Sequence, residues 1–300
     1  MPIGSRQISR RGLSPSVIKG AFHDNPWGRT LYVQSTHTRA SDDYRAGQDF
    51  RHPLKTIARA IALAQPYDLI VVGPGHAESV IAADGLNFSV ANVRVVGLGH
   101  AGQRPTITFT TATTARAKVS AAGVTIENLV LACGVDSLAE MLLVDAADCT
   151  LRDVHVAHDA TNQAVLAINV TSNGDYLLVE GLTAAQAAAG ATACISLNGC
   201  DRATIQKCRI YGDYSAACIR STGVAVTQVR IDECHLESLN AADACIVMLA
   251  ASTGWISRNM CRIATDVQTT WISGANCQLS ENYGVNDNGE TGKLIGTASI

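Results

Sequence analysis

Aromatic residues make up only 5% of this 300-residue chain and charged residues only 16%. A core built on large rings is therefore excluded, as is a highly charged chain too polar to fold. The ten cysteines contain no CxxC spacing, so neither a zinc ribbon nor a dithiol redox motif is present. No run approaches the roughly 18 apolar residues of a membrane-spanning helix. Walker loop, dinucleotide fingerprint and nucleophile elbow are all missing. A formal net charge of -3 gives no global attraction to nucleic acid. Ser9-Arg10-Arg11-Gly12-Leu13 has a superficial twin-arginine look, but no apolar export run follows it. The expectation is a soluble protein made in a reducing compartment, with no membrane, nucleic-acid or cofactor partner and with buried free thiols.

What is abundant is small and β-branched: hydrophobic residues reach 47%, mostly Ala, Val, Ile and Leu. Such a chain favours stacked strands. The stretch VVGPGHA at 71–77 returns as VVGLGHA at 95–101, and further copies of a unit near 25 residues follow. Aligning TIENLVL, TLRDVHV, LLVEGLT, TIQKCRI, RIDECHL, WISRNMC and QLSENYG puts Ile126, Leu151, Leu178, Ile205, Ile231, Ile256 and Leu279 in one column. A second column reads Leu129, Val154, Gly181, Cys208, Cys234, Asn259 and Asn282. Ala-Cys-Ile recurs at Cys194, Cys218 and Cys245, with looser versions near Ile168 and Ile272. Each unit holds short alternating strands between Gly, Asn, Asp and Ser bends and cannot bury its own inward face. Stacked units can, with like side chains about 4.8 Å apart. Cysteines suit the apolar ladders, and Asn259 and Asn282 suit a bend where amides pass hydrogen bonds from coil to coil.

Ahead of the coils, Leu54, Ile57, Ala58, Ile61 and Ala62 form an apolar helical face after Pro53, ended by Gln65-Pro66. A helix over 53–65 would cover the open first coil. Together with Leu31-Tyr32-Val33 before it and LIVVGPGHAESV after it, this segment resembles the start of the pectin-lyase-like right-handed parallel β-helix proteins. The resemblance spans about residues 30–285, with His76-Ala77 where those proteins usually carry an aromatic. It implies an all-β, right-handed parallel β-helix solenoid with a short N-terminal capping helix. The domains expected are a basic N-terminal arm and attachment segment over 1–50, the β-helix over 51–285 and a tail over 286–300.

The chemistry-bearing residues admit bland and sharp readings. His76 and His100, as equivalent corners, would stand one rung apart on the outside of a bend. They would serve as a metal or proton-shuttle pair, or simply accompany glycines that make the turn; the repeated corner is the preferred reading. His155 and His158 form an HxxH whose members point differently, so no metal is expected there. The register above sets Asn128, Asp153, Glu180, Lys207, Glu233, Arg258 and Glu281 in one outer column. Asp153 and Glu180 would then be about 5 Å apart, a spacing for retaining glycoside cleavage, but the remaining members read as an alternating charge ladder. The signatures of polygalacturonases are missing: the sequence has Gly-His-Ala twice and not their Gly-His-Gly, and its one Asp-Asp, Asp42-Asp43, precedes the coils. Pectate lyases carry a Trp-Ile-Asp-His-like segment, and Trp255-Ile256-Ser257-Arg258 lacks its acid and histidine.

Residues 1–23 carry Arg6, Arg10, Arg11 and Lys19 and no acid. This arm is either a loose terminus or a segment that folds onto an acidic partner. With the resemblance, which extends to phage decoration proteins and tailspikes, the expectation is a noncatalytic virion protein, made in the host cytoplasm. It would be a homotrimeric capsid decoration protein attached to capsid or tail proteins through Arg6, Arg10, Arg11 and Lys19. No catalytic residue, metal ligand or cofactor is assigned. The alternatives are a tailspike-like protein that binds or depolymerises a cell-surface polysaccharide, and a cellular carbohydrate-binding protein.

Overall fold

The computed structural model describes residues 28–43, 45–185, 189–239, 244–263, 271–274, 276–286 and 291–294. Arg6, Arg10, Arg11 and Lys19 lie outside the described residues. Three sheets run along one axis, and consecutive strands of the chain pass from sheet A to sheet B to sheet C and back. Sheet A has ten strands, from Thr30–Val33 and Leu69–Val72 to Cys277–Ser280. Sheet B runs from Ala77–Val80 to Asn282–Asn286, and sheet C from Leu86–Phe88 to Ile272–Ser273. Among the described residues all pairings are parallel except Thr291–Leu294, which returns antiparallel along Asn282–Asn286. The chain is a right-handed parallel β-helix. Thr30–Val33, within the segment expected as the arm, is its first rung, paired with Leu69–Val72.

The inward ladders explain the small, aromatic-poor composition. Ile126, Leu151, Val179, Ile205, Ile231, Ile256 and Leu279 are register partners through sheet A. Val179, not Leu178, holds the column, because alternation and not side-chain size decides which residue points inward. The next column corrects in the same way: Leu182, fully buried, replaces Gly181. Ile168, Ile195, Ile219, Ile246 and Ile272 stack in sheet C as the Ala-Cys-Ile repeat predicts. All ten cysteines are free and buried. Cys208 and Cys234 each donate to the carbonyl two residues earlier, at 3.3 Å. Asn259 and Asn282 close their column with amide bonds: the Cys234 N–H donates to Asn259 Oδ1 at 2.9 Å and the Asn259 N–H to Asn282 Oδ1 at 3.0 Å.

Glycine makes few of the turns. Sheet A is bounded on one edge by Tyr67, Asn92, Gly123, Asp148, Tyr176, Arg202 and Gln228, and on the other by Asn128, Asp153, Gly181, Lys207, Glu233, Arg258 and Glu281. Every one of these has positive φ, between 51° and 73°. A left-handed L-residue costs about 1–2 kcal/mol. Corner N–H groups continue the ladder and help hold the turns: Asn128 N donates to Arg152 O, Asp153 N to Glu180 O and Lys207 N to Asp232 O, at 2.9–3.1 Å. These corners bound sheet A on both edges with rows made mostly of polar residues.

The capping helix α1 spans Ile57–Leu63, shorter than the expected 53–65. Thr56 caps it, its side chain accepting from Arg59 N, while Leu54 stays extended and bridges to Val33. The later start rotates the buried face to Ile57, Ala60 and Ile61, leaving Ala62 exposed. These residues join Leu31, Ile70 and Leu86 in the core, closing the first coil. Asp42 accepts from Lys55 N, Thr56 N and Thr56 Oγ1, so the one Asp-Asp of the chain anchors the helix start.

Candidate functional site

The register revises the outer carboxylate column. Because Leu151 pairs with Val179, Asp153 aligns with Gly181, and Glu180 belongs to the neighbouring column between Arg152 and Gln206. The retaining pair of Asp153 and Glu180 is not formed. Glu180 instead accepts from Arg152 Nε at 3.1 Å and Gln206 Nε2 at 2.9 Å, with Lys207 Nζ at 3.5 Å. The Arg152 guanidinium holds its carboxyl below the usual glutamate range. A general acid needs the opposite shift.

Other acids are engaged in the same way. Asp232 accepts from Arg230 at 2.7 Å, Ser257 Oγ at 3.0 Å and Arg258 Nε at 3.0 Å. Burial pushes its carboxyl up, but the bonds from Arg230 and Arg258 outweigh burial and hold it below the usual range. On sheet C, Arg116 bridges Asp84 and Glu140, and Asn169 donates to Glu140 at 2.7 Å. Asp145 is pulled down to about 2 by Lys118, Thr171 and Asn173. The surface is a set of charge ladders that lock neighbouring coils.

The repeated Gly-His corners are not equivalent. The sequence repeat steps by 24 residues, whereas the sheet pairs Val71 with Val96 and Val72 with Gly97, a step of 25. His76 therefore turns inward, 1% exposed, and His100 lies exposed at a 3-10 turn. His76 Nδ1 accepts from Ser35 N at 3.0 Å, which leaves the proton on Nε2, 3.3 Å from Glu78 Oε2. Glu78 in turn accepts from Ile57 N at 2.6 Å and Ala58 N at 3.3 Å, the first amides of α1. His76 is thus a structural tie between the first rung, the first sheet B strand and the cap. It does not merely accompany the glycines. Those glycines also act otherwise than expected: neither Gly73 nor Gly97 has positive φ, but a Cβ at Gly73 would meet Gln34 Oε1 at 1.5 Å and one at Gly97 the Asn128 carbonyl at 2.3 Å.

In the HxxH, His155 Nδ1 lies 2.8 Å from Thr183 Oγ1, whereas burial pushes the His158 imidazole down to about 4. No group of three or more metal-ligating side chains converges among the described residues.

Among the described residues, shallow hollows mark the outer faces. One on sheet B, about 530 Å³, is lined among others by His155, Arg209, Tyr211, His235, Glu237 and Arg262. Another, about 520 Å³ on sheet A, is lined by Arg202, Thr204, Gln228, Arg230, Trp255, Ser257 and Arg258. Trp255 is 52% exposed. Trp255 and Arg258 belong to Trp255-Ile256-Ser257-Arg258, the stretch that lacks the acid and histidine of the pectate lyase segment. The signal available was an aromatic on a strand at an outward position, readable once the register was known.

Comparison with protein-family models and with curated protein sequences gives no match. Among solved structures, one titled "Rhamnogalacturonan lyase" is similar, with a TM-score of 0.51 and 10% identity over 86% of this chain and 74% of that one. At that identity the likeness concerns the fold, and it agrees with the stacked coils above: this chain has the pectin-lyase-like parallel β-helix fold.

Proposed function

We propose that this chain is a noncatalytic structural protein of a phage particle, a capsid decoration protein attached as a homotrimer through its N-terminal segment. The observation that carries the noncatalytic part is the pairing of the surface carboxylates. Glu180, Asp232, Glu140 and Asp145 are each engaged by a cation and a further donor. A pair with one acid of raised pKa is the requirement for glycoside hydrolysis, and the shifted carboxylates here are lowered. A stiff, charge-laddered rod with a basic, acid-free leading segment suits attachment and display. Arg6, Arg10, Arg11 and Lys19 supply the charge for an acidic docking surface.

The test is co-sedimentation with particles of full-length protein and of a variant lacking residues 1–23. The truncated protein keeps its β-helix, since the first rung begins at Thr30, and loses attachment. Neutralising Arg6, Arg10 and Arg11 weakens attachment in a salt-dependent way, exposed charges being screened over about 8–10 Å. Equal co-sedimentation of both forms would overturn the attachment reading. A second reading, a tailspike-like polysaccharide-binding protein, is favoured by one observation, the exposed indole among arginines on sheet A.

A further inference from the structure

We infer that the hollow around Trp255 on sheet A is a binding site for an acidic saccharide, a pyranose bearing a carboxylate or a sulfate, held without cleavage. The inference concerns the body of the solenoid and does not depend on what the first 23 residues do.

The parallel register builds the site. Arg230 and Trp255 are register partners in one outward column, about 4.8 Å apart along the axis. Arg202 and Gln228 are successive left-handed corners at one edge of the sheet, and Arg258 is the corner at the other edge. The hollow between them, about 520 Å³, falls within the size range of small-molecule sites and has no carboxylate in its lining among the described residues. Beyond the indole lies a second hollow of about 170 Å³, lined by Gln228, Thr253, Gly254, Trp255, Asn276 and Gln278. Trp255 thus divides a cationic compartment from an amide-lined one.

Each part matches a group on an acidic sugar. The indole is oriented by its Nε1–H, which donates to Gln278 Oε1 at 2.7 Å, and it presents a flat apolar surface to the C–H face of a pyranose. The guanidiniums are pre-positioned. Asp232, its side chain 3% exposed, holds both Arg230 and Arg258, and Arg202 lies over the Tyr176 ring at 5.0 Å while donating to Gln228 Oε1 at 2.7 Å. Arg258 also pairs with Glu233 at 3.3 Å, yet two guanidiniums carry ten N–H donors, more than the contacts with Asp232 and Glu233 occupy. Planar, fixed guanidiniums suit bidentate recognition of carboxylate or sulfate. The amides beyond Trp255 suit sugar hydroxyls. A single-stranded nucleic acid is disfavoured, since its sites combine a long basic track with several stacking aromatics, whereas this chain has a net charge of -3 and one exposed tryptophan here.

The test uses full-length protein titrated with alginate oligosaccharide, dextran sulfate, neutral dextran and oligothymidylate, read by calorimetry and by tryptophan emission. The expected result is binding of at least one acidic glycan, weakened by added salt, and no binding of dextran. Alginate against dextran sulfate distinguishes carboxylate from sulfate recognition. Arg202→Gln and Trp255→Ala weaken binding at least tenfold while melting as wild type does, and Tyr211→Ala on the sheet B hollow leaves it unchanged. The inference is overturned if no acidic glycan binds at millimolar concentration, if Arg202→Gln and Trp255→Ala bind like wild type, if dextran binds equally, or if oligothymidylate binds as tightly with the same dependence on Trp255. Particle co-sedimentation of Arg202→Gln and Trp255→Ala stays at the wild-type level, so failure of glycan binding and failure of attachment are separately visible.

Discussion

His76→Ala and His100→Ala change the same residue type in two copies of one sequence motif, and the structure assigns them opposite consequences. The His76 side chain is fully buried and joins the Ser35 amide to Glu78. Its loss strips an acceptor from Ser35 N–H, about 1–3 kcal/mol, and a donor from a carboxylate, about 1.5–3 kcal/mol. Partial relaxation and water entry bring the expected total to about 2–4 kcal/mol. The loss is local, because coils of a solenoid contact only their neighbours. Hydrogen exchange is therefore the assay. Protection at Ile57 and Ala58, whose amides donate to Glu78, should fall roughly 30- to 700-fold, at tenfold per 1.4 kcal/mol. His100 is exposed and makes no side-chain cap bond, so His100→Ala should stay within about 0.5 kcal/mol of wild type. Equal protection in the two variants would refute the 25-residue register and the tie built on it.

Other outcomes follow from the same geometry. Cys218→Asp puts a charge into a fully buried position and should destabilise by several kcal/mol in chemical denaturation. The native thiols should resist alkylation, burial pushing Cys194 up to about 12, and all ten should react after unfolding. Asp145, lowered to about 2, contributes stability that is full above its unfolded pKa near 4 and lost as pH falls towards 2. Asp145→Asn should therefore be less stable than wild type at pH 7, and the difference should shrink as pH falls and vanish only below about pH 2. Gly97→Ala, whose Cβ would meet a backbone carbonyl at 2.3 Å, should cost about 1–3 kcal/mol. Gly102→Ala, with nothing within 4 Å, should be neutral.

The architecture was readable because a solenoid repeats its errors as well as its signals: seven copies of one strand outvote a misaligned one. Leu178 is the bulkier side chain, yet Val179 fits the alternation, and that one-residue difference separates Glu180 from Asp153 and removes the apparent catalytic pair. The 24-residue echo of VVGPGHA misled for a related reason. Identical text does not ensure identical register, and His76 and His100 end in opposite environments. Corner chemistry was legible only in part, since ladder hydrogen bonds let Asp, Lys, Arg and Glu take a conformation that sequence habits assign to glycine. The Trp255 hollow was hidden because its members come from three successive coils, at 202–204, 228–230 and 255–258, and meet only through the stacking.

The measurement that bears most directly on the account is depolymerisation. Full-length protein is incubated with acidic and neutral polysaccharides, including host-surface polysaccharide, and new reducing ends and unsaturated ends are followed together. The account predicts none above a boiled control, even for a glycan that binds at Trp255. Release of ends that disappears in Asp153→Asn or Glu180→Gln would contradict it and make the charge ladder an active site.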